Sequence, residues 1–464
     1  MSEISCKLLI IGGGPSGYVC GIRAGQLGID TVLVEKKRLG GACLNVGCIP
    51  SKALIHAADE FHRLTEFASR GRLGITAENP AIDFTKTLDW KDTIVNRLNN
   101  GVAGLLKRAN VRMLQGQARF IDGKTVLVDT DTGRQTIQAE NIVIATGSVP
   151  VEIEALPFGG NVISSAEALS LDKIPEKLVV VGGGYIGLEI GTAFAKLGAK
   201  VSIVEATDRI LPQYDGELTR PVTARLQALG VNVLTNTSAK GLTSDDKALE
   251  VLAADGKSRT IAADKVLVAV GRKPQTDGWG LSEIRLDMDG RFIRIDERCR
   301  TSMRGIYAIG DVTGEPMLAH RAMAQGELVA QIIAGGKQVW DKHAIPAVCF
   351  TDPEIVTVGL SPDDTRKAGL SVKTATFPFQ ANGRAMTIER DDGFVRVVAR
   401  SDNHLVLGVQ AVGVTISELS SAFVQAIEMG ARLEDIAGII HAHPTLSEGF
   451  AEASMKALGH GLHI

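Results

Sequence analysis

The sequence is poor in cysteine, aromatic residues and net charge, and each shortage excludes a class of protein. Cysteines number six among 464 residues, aromatic residues make up 4%, and 50 basic residues face 53 acidic ones. A net charge of −3 provides no basic surface for nucleic acid. No apolar run reaches the roughly 20 residues of a membrane-spanning helix, so we expect no membrane segment. The N-terminus leads directly into a strand-like run, and we expect no signal or transit peptide.

Sparse cysteine is typical of a reducing compartment, where a disulfide is usually catalytic, so we expect a cytoplasmic protein. Glycine, in contrast, is abundant, with 51 residues and no collagen-like period, which indicates tight turns and phosphate loops. The length predicts about three domains. Four cysteines lie in apolar or strand-like surroundings and are predicted to be small core residues. They are Cys6, Cys20, Cys299 and Cys349.

The other two cysteines, Cys43 and Cys48, lie in the stretch Gly40–Lys52. On an ideal α-helix, residues five apart lie roughly 8 Å apart at Cα, whereas a disulfide needs about 4.4–6.8 Å. If the pair forms a bridge, the backbone here must therefore be a loop or a distorted turn. Pro50 fits the first turn of a helix predicted over Ser51–Phe61. The pair is either two unrelated buried thiols or a redox dithiol with a labile disulfide.

A dinucleotide-binding fingerprint precedes the cysteine pair. The apolar run Lys7–Ile11 predicts a buried parallel strand, followed by a G-x-G-x-x-G pattern, a helix through Gln26 and a strand that ends in Glu35. The first glycine forms the turn, the second admits a pyrophosphate and the third lets helix and strand pack closely. The helix N-terminus attracts phosphate, and the acid can accept hydrogen bonds from a ribose diol. The three glycines are Gly12, Gly14 and Gly17.

The same pattern occurs a second time. A strand at Lys177–Val181 precedes the second set of glycines, a helix predicted over Leu188–Leu197 and a strand that ends in Glu205. Such a duplication indicates that the chain binds two dinucleotides. Glu205 favours a free 2′-hydroxyl over a 2′-phosphate and therefore NAD over NADP, although Arg209 lies nearby. The second set of glycines is Gly182, Gly184 and Gly187.

Several residues at predicted strand ends are further candidates for cofactor binding. Asp311 follows the strand Ile306–Ile309 and precedes a helix expected from Ala319. Its carboxylate could hydrogen-bond a sugar or ribitol hydroxyl, or it could cap a helix N-terminus. Other candidates that follow strands are Thr146, Gly147 and Gly271.

From about Ile345 the composition changes to alternating strand patterns without a fingerprint, which predicts an α+β unit. This unit contains His443 and, five residues later, Glu448, a spacing at which an imidazole and a carboxylate can form a base–orienter pair. The simpler alternative is a pair of hydrogen-bonded structural histidines. A zinc site formed by His441, His443 and the two cysteines is a further alternative. Because neither pair has finger-like spacing, we expect no metal.

In their order along the chain, these motifs resemble those of the flavin-dependent pyridine-nucleotide disulfide oxidoreductases. The resemblance covers essentially the whole length and implies that the first fingerprint binds FAD and the second NAD. It also implies a Cys43–Cys48 redox disulfide, in which Cys43 exchanges with substrate and Cys48 faces the flavin. The stretches that carry it are Gly12–Gly17, Gly40–Lys52, Gly182–Glu205, Gly310–Asp311 and His443–Glu448.

The resemblance assigns further roles. His443 is expected to be the acid/base and Glu448 its orienter, while Lys52 and Glu189 are expected to form an ion pair near the flavin ring. The implied fold is α/β, with two Rossmann-like domains and a C-terminal α+β dimerisation domain. Its expected boundaries are 1–150 for FAD binding, 151–274 for NAD binding, 275–343 for a central segment returning to the FAD domain, and 344–464 for the dimer interface.

Within this family, the pattern is most similar to members that oxidise protein-bound dihydrolipoamide to lipoamide with NAD⁺. We therefore expect a homodimer that serves a 2-oxo acid dehydrogenase or glycine cleavage complex, takes its lipoyl domains as substrate and docks on its acyltransferase core. The chain lacks the C-terminal dithiol or selenol of mercuric and large thioredoxin reductases. Glu205 stands where a glutathione reductase should carry basic residues.

Three alternatives stay open. Tyr185 lies inside the second fingerprint, as a tyrosine does in glutathione reductase, which favours another NAD(P)H-dependent disulfide reductase. A thiol hydrolase could use Cys48, His443 and Glu448 as a triad, but it has no use for two fingerprints. A non-catalytic docking role in a multienzyme complex is the third, although the sequence shows no lipoyl or linker segment.

Overall fold

The computed structural model describes residues 2–464. In chain order, the strands are β1 Ser2–Ile11, β2 Thr31–Glu35, β3 Arg112–Gln115, β4 Gln117–Phe120, β5 Thr125–Thr130, β6 Gly133–Ile144, β7 Ser148–Pro150, β8 Val162–Ile163, β9 Lys177–Val181, β10 Lys200–Val204, β11 Asn232–Leu234, β12 Ser238–Leu242, β13 Ala248–Leu252, β14 Ser258–Ala262, β15 Lys265–Val268, β16 Arg272–Pro274, β17 Met288–Asp289, β18 Phe292–Ile293, β19 Ile306–Ala308, β20 Ala347–Cys349, β21 Glu354–Gly359, β22 Val372–Pro378, β23 Phe394–Arg400 and β24 Val406–Gly413.

The α-helices are α1 Pro15–Gln26, α2 Gly41–Val46, α3 Cys48–Arg70, α4 Phe84–Arg108, α5 Ser165–Ala168, α6 Tyr185–Lys196, α7 Gly216–Ala228, α8 Leu281–Ile284, α9 Ala319–Ile333, α10 Pro362–Lys367, α11 Gly383–Thr387, α12 Ser420–Glu428, α13 Leu433–Gly438 and α14 Glu448–Leu458. Short 3₁₀ helices span Arg72–Gly74, Gly310–Thr313, Phe379–Ala381 and Ile416–Leu419.

The chain folds into two compact units. The first comprises residues 2–158, 163–174 and 270–341, and the second comprises residues 159–162, 175–269 and 342–464. The four domain boundaries expected from the sequence remain a prediction.

A largely parallel sheet forms the centre of the first unit, in the order β3-β2-β1-β6-β5-β4 with β19 beside β6. β1 lies between β2 and β6 and is parallel to both. Leu8 and Ile10 pack into the core on one face of β1, and Leu9 and Ile11 pack into the core on the other. Burial on both faces explains why this strand is a continuous apolar run rather than an alternating one.

The second unit repeats the parallel arrangement and adds antiparallel sheets. β9 lies between β10 and β15 and is parallel to both, and β11 follows β10. β12, β13 and β14 form a small antiparallel sheet. The C-terminal part is an antiparallel sheet in the order β20-β21-β24-β23-β22, on which α14 packs against β22 and β23. The predicted α/β fold class with a C-terminal α+β part is confirmed.

The two helices predicted after the cysteine pair and after the second fingerprint are helices in the structure, but both begin earlier than predicted. The helix predicted over Ser51–Phe61 is α3, which begins earlier, at Cys48. Pro50 is its third residue, where the missing N–H breaks no intrahelical hydrogen bond. The helix predicted from Leu188 begins at Tyr185, directly after the extended Gly184. The four cysteines assigned to the core are all buried. Within residues 2–464, no helix is long and apolar enough to cross a bilayer.

A buried ion cluster joins the parallel and antiparallel parts of the second unit. Asp352, which is 9% exposed, accepts Lys196 Nζ at 2.6 Å and Arg225 Nε at 2.9 Å on one oxygen. Its other oxygen lies 2.5 Å from a terminal nitrogen of Arg390. Burial alone would raise the pKa of Asp352, but the three cations hold that pKa well below its ordinary value. The cluster therefore stabilises the unit while Asp352 is ionised.

Asp352→Asn should lower the free energy of unfolding at pH 7 by about 3–5 kcal/mol, because it removes the buried negative charge that Lys196, Arg225 and Arg390 share. A depressed carboxyl pKa contributes stability that is present above the unfolded pKa of about 3.9 and is lost as pH falls toward the folded value. The difference in free energy of unfolding between the wild type and Asp352→Asn should thus be constant from about pH 7 to 5 and become smaller below about pH 4. Unfolding midpoints across this range measure it.

Asp402→Asn is the matched control, because Asp402 pairs with Arg400 on the surface. It should change the unfolding midpoint little at any of these pH values. A wild-type midpoint for Asp352→Asn at pH 7 would contradict the role of the cluster.

Candidate active site

The three glycines of the first phosphate loop, Gly12–Gly17, have different structural roles. Gly12 has φ +107°, and a Cβ there would lie 2.3 Å from Ala145 O. A Cβ on Gly17 would lie 1.8 Å from Gly12 O, so this glycine lets α1 pack against the loop. Gly14 differs, because the nearest heavy atom to its added Cβ is Gly41 Cα at 3.8 Å. The loop therefore keeps an open approach to the N-terminus of α1, where a phosphate would bind.

Glu35 is fixed beside this loop by main-chain donors. Gly13 N–H donates to Oε2 and Lys37 N–H donates to Oε1, each at 2.7 Å. Each carboxylate oxygen keeps a lone pair for a further donor, as a ribose diol requires. A cavity of about 360 Å³ beside it is lined by residues that include Glu35, Arg38, Leu39 and Asn99. The loop, the acid and the cavity fit the adenosine diphosphate half of FAD.

Asp311 is held at a strand end by a hydrogen-bond chain within the first unit. Ser148 Oγ donates to Asp311 Oδ2 at 2.5 Å and accepts from Arg272 Nε at 2.8 Å. Asp311 lies inside a 3₁₀ turn, and the residue before α9 is Leu318, so the alternative in which Asp311 caps the following helix is wrong. Its carboxylate is thus available to a ligand hydroxyl.

The other candidates around this strand end are placed by backbone geometry. Thr146 Oγ1 donates to Gln275 O at 2.8 Å. Gly147 and Gly271 have φ of +72° and +132°, a conformation that favours glycine. Ala319 is the first residue of α9. Sequence reasoning missed Gln325, whose Oε1 accepts Gly310 N–H at 2.8 Å, and it missed Ser148, because no local pattern marks either residue.

The two candidate redox cysteines lie on either side of a helix break. Cys43 is in α2 and Cys48 is the first residue of α3, and Gly47 between them has φ −140° and ψ −113°. The predicted distorted turn is therefore confirmed. Both side chains are thiols in this structure, and the Cys43 thiol hydrogen-bonds Cys48. A pair of thiols within hydrogen-bonding reach is what a redox dithiol requires.

The surroundings of the pair raise the pKa of Cys43. The hydrogen bond with Cys48 raises the pKa of Cys43 well above its ordinary value, burial and the charge of Cys48 raise it further, and Lys52 opposes them. Burial raises the pKa of Tyr18 on α1, and the negative charge of the Cys43 and Cys48 thiolates raises it further. Sequence reasoning missed Tyr18, which sits in the first helix without a distinctive spacing.

The second phosphate loop repeats the geometry of the first. Gly182 has φ +109°, and a Cβ on Gly187 would lie 2.4 Å from Gly182 O. A Cβ on Gly184 would have no heavy atom within 4 Å. Glu205 accepts Gly183 N–H at 2.6 Å on one oxygen, and Thr207 N–H and Oγ1 at 2.8 Å on the other. This arrangement fits a second adenine dinucleotide.

Glu189 lies on α6, four residues after Tyr185, and is buried. Its Oε1 accepts Phe350 N–H at 2.9 Å, so the residue that follows strand β20 helps to fix it. Lys52 lies on α3, in the other compact unit. The expected Lys52–Glu189 ion pair stays a prediction.

His443 and Glu448 meet at the start of α14. The distance between His443 Nδ1 and Glu448 Oε1 is 2.9 Å, and Thr445 N–H donates to Oε2 at 2.8 Å. Burial opposes ionisation of Glu448, but the Thr445 N–H and the His443 ring lower its pKa below the ordinary value. The His443 side chain is 80% exposed. With Nδ1 donating to the carboxylate, Nε2 is the nitrogen that accepts a proton.

Among residues 2–464, no group of three or more His, Cys, Asp or Glu side chains is arranged to hold a metal ion. The first unit thus offers a dithiol and one dinucleotide loop, and the second unit offers a second dinucleotide loop and a histidine–carboxylate pair. These are the groups that thiol–disulfide exchange with a base requires.

Comparison with known proteins agrees with this geometry. A family model described as pyridine nucleotide-disulphide oxidoreductase matches residues 6–326, and the dimerisation domain of the same family matches residues 345–454. A dihydrolipoyl dehydrogenase from Pseudomonas aeruginosa is 59% identical to this chain, and the alignment covers 100% of both proteins. One from Bacillus subtilis is 45% identical over 99% of this chain and 98% of that protein.

Solved structures are similar throughout as well. LpdA from Mycobacterium tuberculosis superposes with a TM-score of 0.88 at 26% identity, over 98% of this chain and 99% of that one. A hypochlorous-acid-induced flavoprotein disulfide reductase from Escherichia coli superposes with a TM-score of 0.86 at 26% identity, over 97% and 99%.

Gly184→Ala separates dinucleotide binding from folding. The added methyl meets no protein atom within 4 Å but narrows the approach to the N-terminus of α6. We expect the KM for NAD⁺ to rise about 10–100-fold, the equivalent of 1.4–2.8 kcal/mol, with no loss of thermal stability or bound flavin. Gly216→Ala is the matched control, because its added Cβ also has no neighbour within 4 Å. An unchanged KM for NAD⁺ in Gly184→Ala would show that the pyrophosphate does not bind at this loop.

Proposed function

Because the chain belongs to the pyridine nucleotide-disulphide oxidoreductase family, we propose that it oxidises dihydrolipoamide to lipoamide and reduces NAD⁺. The observation that carries this proposal is the hydrogen-bonded Cys43–Cys48 pair at the break between α2 and α3. The enzyme is a flavoprotein that uses FAD and NAD. The substrate is supported by the full-length similarity to dihydrolipoyl dehydrogenases.

The first loop, Glu35 and Asp311 would hold FAD, and the second loop and Glu205 would hold NAD⁺. Bound FAD supplies a two-electron acceptor that returns the electrons as hydride. The chain's own residues provide everything else: they bind both dinucleotides, carry the exchangeable disulfide and move the protons.

The exchange proceeds by two sulfur displacements. A substrate thiolate attacks Cys43 Sγ, which forms a mixed disulfide, breaks the Cys43–Cys48 bond and leaves the electron pair on Cys48 as a thiolate. The second substrate thiolate then attacks the substrate sulfur of the mixed disulfide, which closes lipoamide and releases Cys43. A thiol with a raised pKa is a poor leaving group, so Cys43 needs a proton donor as this bond breaks.

His443 is the proposed base. A dithiol is mostly protonated at neutral pH, so the attacking sulfur must first lose a proton. His443 Nε2 takes that proton while Glu448, bonded to Nδ1 at 2.9 Å, stabilises the resulting imidazolium. The imidazolium then returns this proton to the departing Cys43 sulfur, and the neutral ring takes the proton of the second substrate thiol.

The protein is a homodimer, as its match to the dimerisation domain indicates. We propose that His443 of one chain serves the cysteine pair of the other, so that two equivalent active sites are shared across the twofold axis. Its substrates would be the lipoyl domains of a 2-oxo acid dehydrogenase or glycine cleavage complex, and an acyltransferase core would be its docking partner. Sparse cysteine supports a cytoplasmic location.

The alternatives are less well supported. A glutathione reductase-like activity gains support from Tyr185 alone, whereas Glu205 occupies the position that would face a 2′-phosphate. A thiol hydrolase leaves both nucleotide loops without a purpose. A docking-only role leaves the dithiol and the His443–Glu448 pair without one.

Cys43→Ser and Cys48→Ser should each abolish dihydrolipoamide-dependent NADH formation, because the exchange needs both sulfurs. NADH absorbance gives the rate, and the flavin spectrum shows whether each variant keeps its cofactor. Cys6→Ser is the matched control: Cys6 is buried and its thiol faces Gln138 O at 3.8 Å, so activity should persist. Full activity in either active-site variant, or a wild-type protein that reduces NAD⁺ with no dithiol present, would reject the proposal.

A further inference from the structure

α2 is too short to hold its own shape, yet it carries one of the two reactive thiols. It spans six residues, Gly41–Val46, follows Gly40 in the left-handed conformation (φ 89°) and has no side-chain cap. Isolated helices shorter than about 12 residues are marginal in water. Interactions from outside this turn must therefore fix the position of Cys43 relative to Cys48.

The side chain of Asn45, between the two cysteines, supplies part of that restraint. Its Nδ2 donates to Leu39 O at 2.8 Å and to Gly41 O at 2.9 Å, which ties the end of α2 to the segment before it. Both partners are carbonyl oxygens, which only accept, so the orientation of the amide is determined. Nδ2 faces the two carbonyls and Oδ1 faces away from them.

Asn99 on α4 holds that oxygen. Its Nδ2 donates to Asn45 Oδ1 at 3.0 Å and to Val95 O, one turn earlier in α4, also at 3.0 Å. Asn99 is 8% exposed, so water offers its amide little replacement. Because α4 has 25 residues, the contact attaches the short helix to a long and well-supported one.

We propose that this Asn45–Asn99 amide pair positions Cys43 for disulfide closure and thereby sets the midpoint potential of the Cys43–Cys48 couple. The inference rests on the proposed function, in which these cysteines are the redox couple. Asn45 and Asn99 act through α2 rather than on the sulfur atoms and are therefore positioning residues.

Closure of the disulfide removes two protons and two electrons from the thiols, and the electrons reduce an external disulfide to two thiols. The equilibrium depends on how often the reduced pair places its sulfurs in bonding geometry. Without the amide pair, α2 in the dithiol form samples other positions, whereas the closed disulfide restrains it in any case. Loss of the pair should therefore favour the dithiol.

The test measures the midpoint potential on the flavin-loaded, full-length protein. Wild type, Asn99→Ala and Asn99→Leu are equilibrated in glutathione and dithiothreitol redox buffers, alkylated, and the peptide that contains residues 40–52 is quantified by mass spectrometry. We expect both variants to lower the disulfide-forming equilibrium constant about tenfold, which corresponds to a midpoint about 30 mV more positive. Leucine preserves the buried volume, so it controls for a cavity left by alanine.

Thr93→Ala is the matched control on the same helix, because Thr93 Oγ1 donates to Asp89 O one turn earlier, as Asn99 does to Val95. It should leave the midpoint unchanged. A wild-type midpoint in an Asn99 variant that retains flavin would overturn the inference, and so would an equal shift in Thr93→Ala. A wild-type protein that forms no Cys43–Cys48 disulfide would instead reject the proposed function.

Discussion

The helix break at Gly47 is the constraint on which the rest of the active site depends. In one continuous helix, Cys43 and Cys48 would lie roughly 8 Å apart at Cα, too far for exchange. The break turns α3 away from α2 and lets the two thiols hydrogen-bond. A Cβ at Gly47 would lie 2.9 Å from Ala42 O, so a side chain there would push the two helices apart. That hydrogen bond, together with burial, raises the pKa of Cys43.

The chain uses one nucleotide-binding device twice, once in each compact unit. In each copy, one glycine has positive φ, another leaves an open approach at a helix N-terminus, and a glutamate is fixed by main-chain donors before it can meet a ribose. A carboxylate that is already held in place loses little conformational freedom when a ligand binds. Each loop would therefore need few residues to bind an adenine dinucleotide. The third component, the His443–Glu448 pair, lies in an antiparallel domain with no such loop. The proposed base thus comes from a part of the chain that carries neither nucleotide loop.

Much of this arrangement could be predicted from sequence, because its signals are local. Strand, glycines, helix and acid follow one another within about 30 residues, and the cysteine pair flanks Gly47. What could not be predicted depends on distant segments: Ser148 reaches Asp311, and Asn99 reaches Asn45, with no spacing that marks either contact. The helix-cap alternative for Asp311 failed because a 3₁₀ turn, invisible to a simple strand–helix pattern, separates β19 from α9.

The central claim is that the base and the dithiol come from different chains, and complementation tests it most directly. Heterodimers of Cys48→Ser with His443→Ala are purified through two affinity tags. Shared sites predict about half of wild-type activity, since one site then has both cysteines and an intact His443. Heterodimers of Cys43→Ser with Cys48→Ser are the matched control and should stay inactive, because each site lacks one sulfur. No recovery in the first heterodimer would contradict the shared site and place His443 with the cysteines of its own chain.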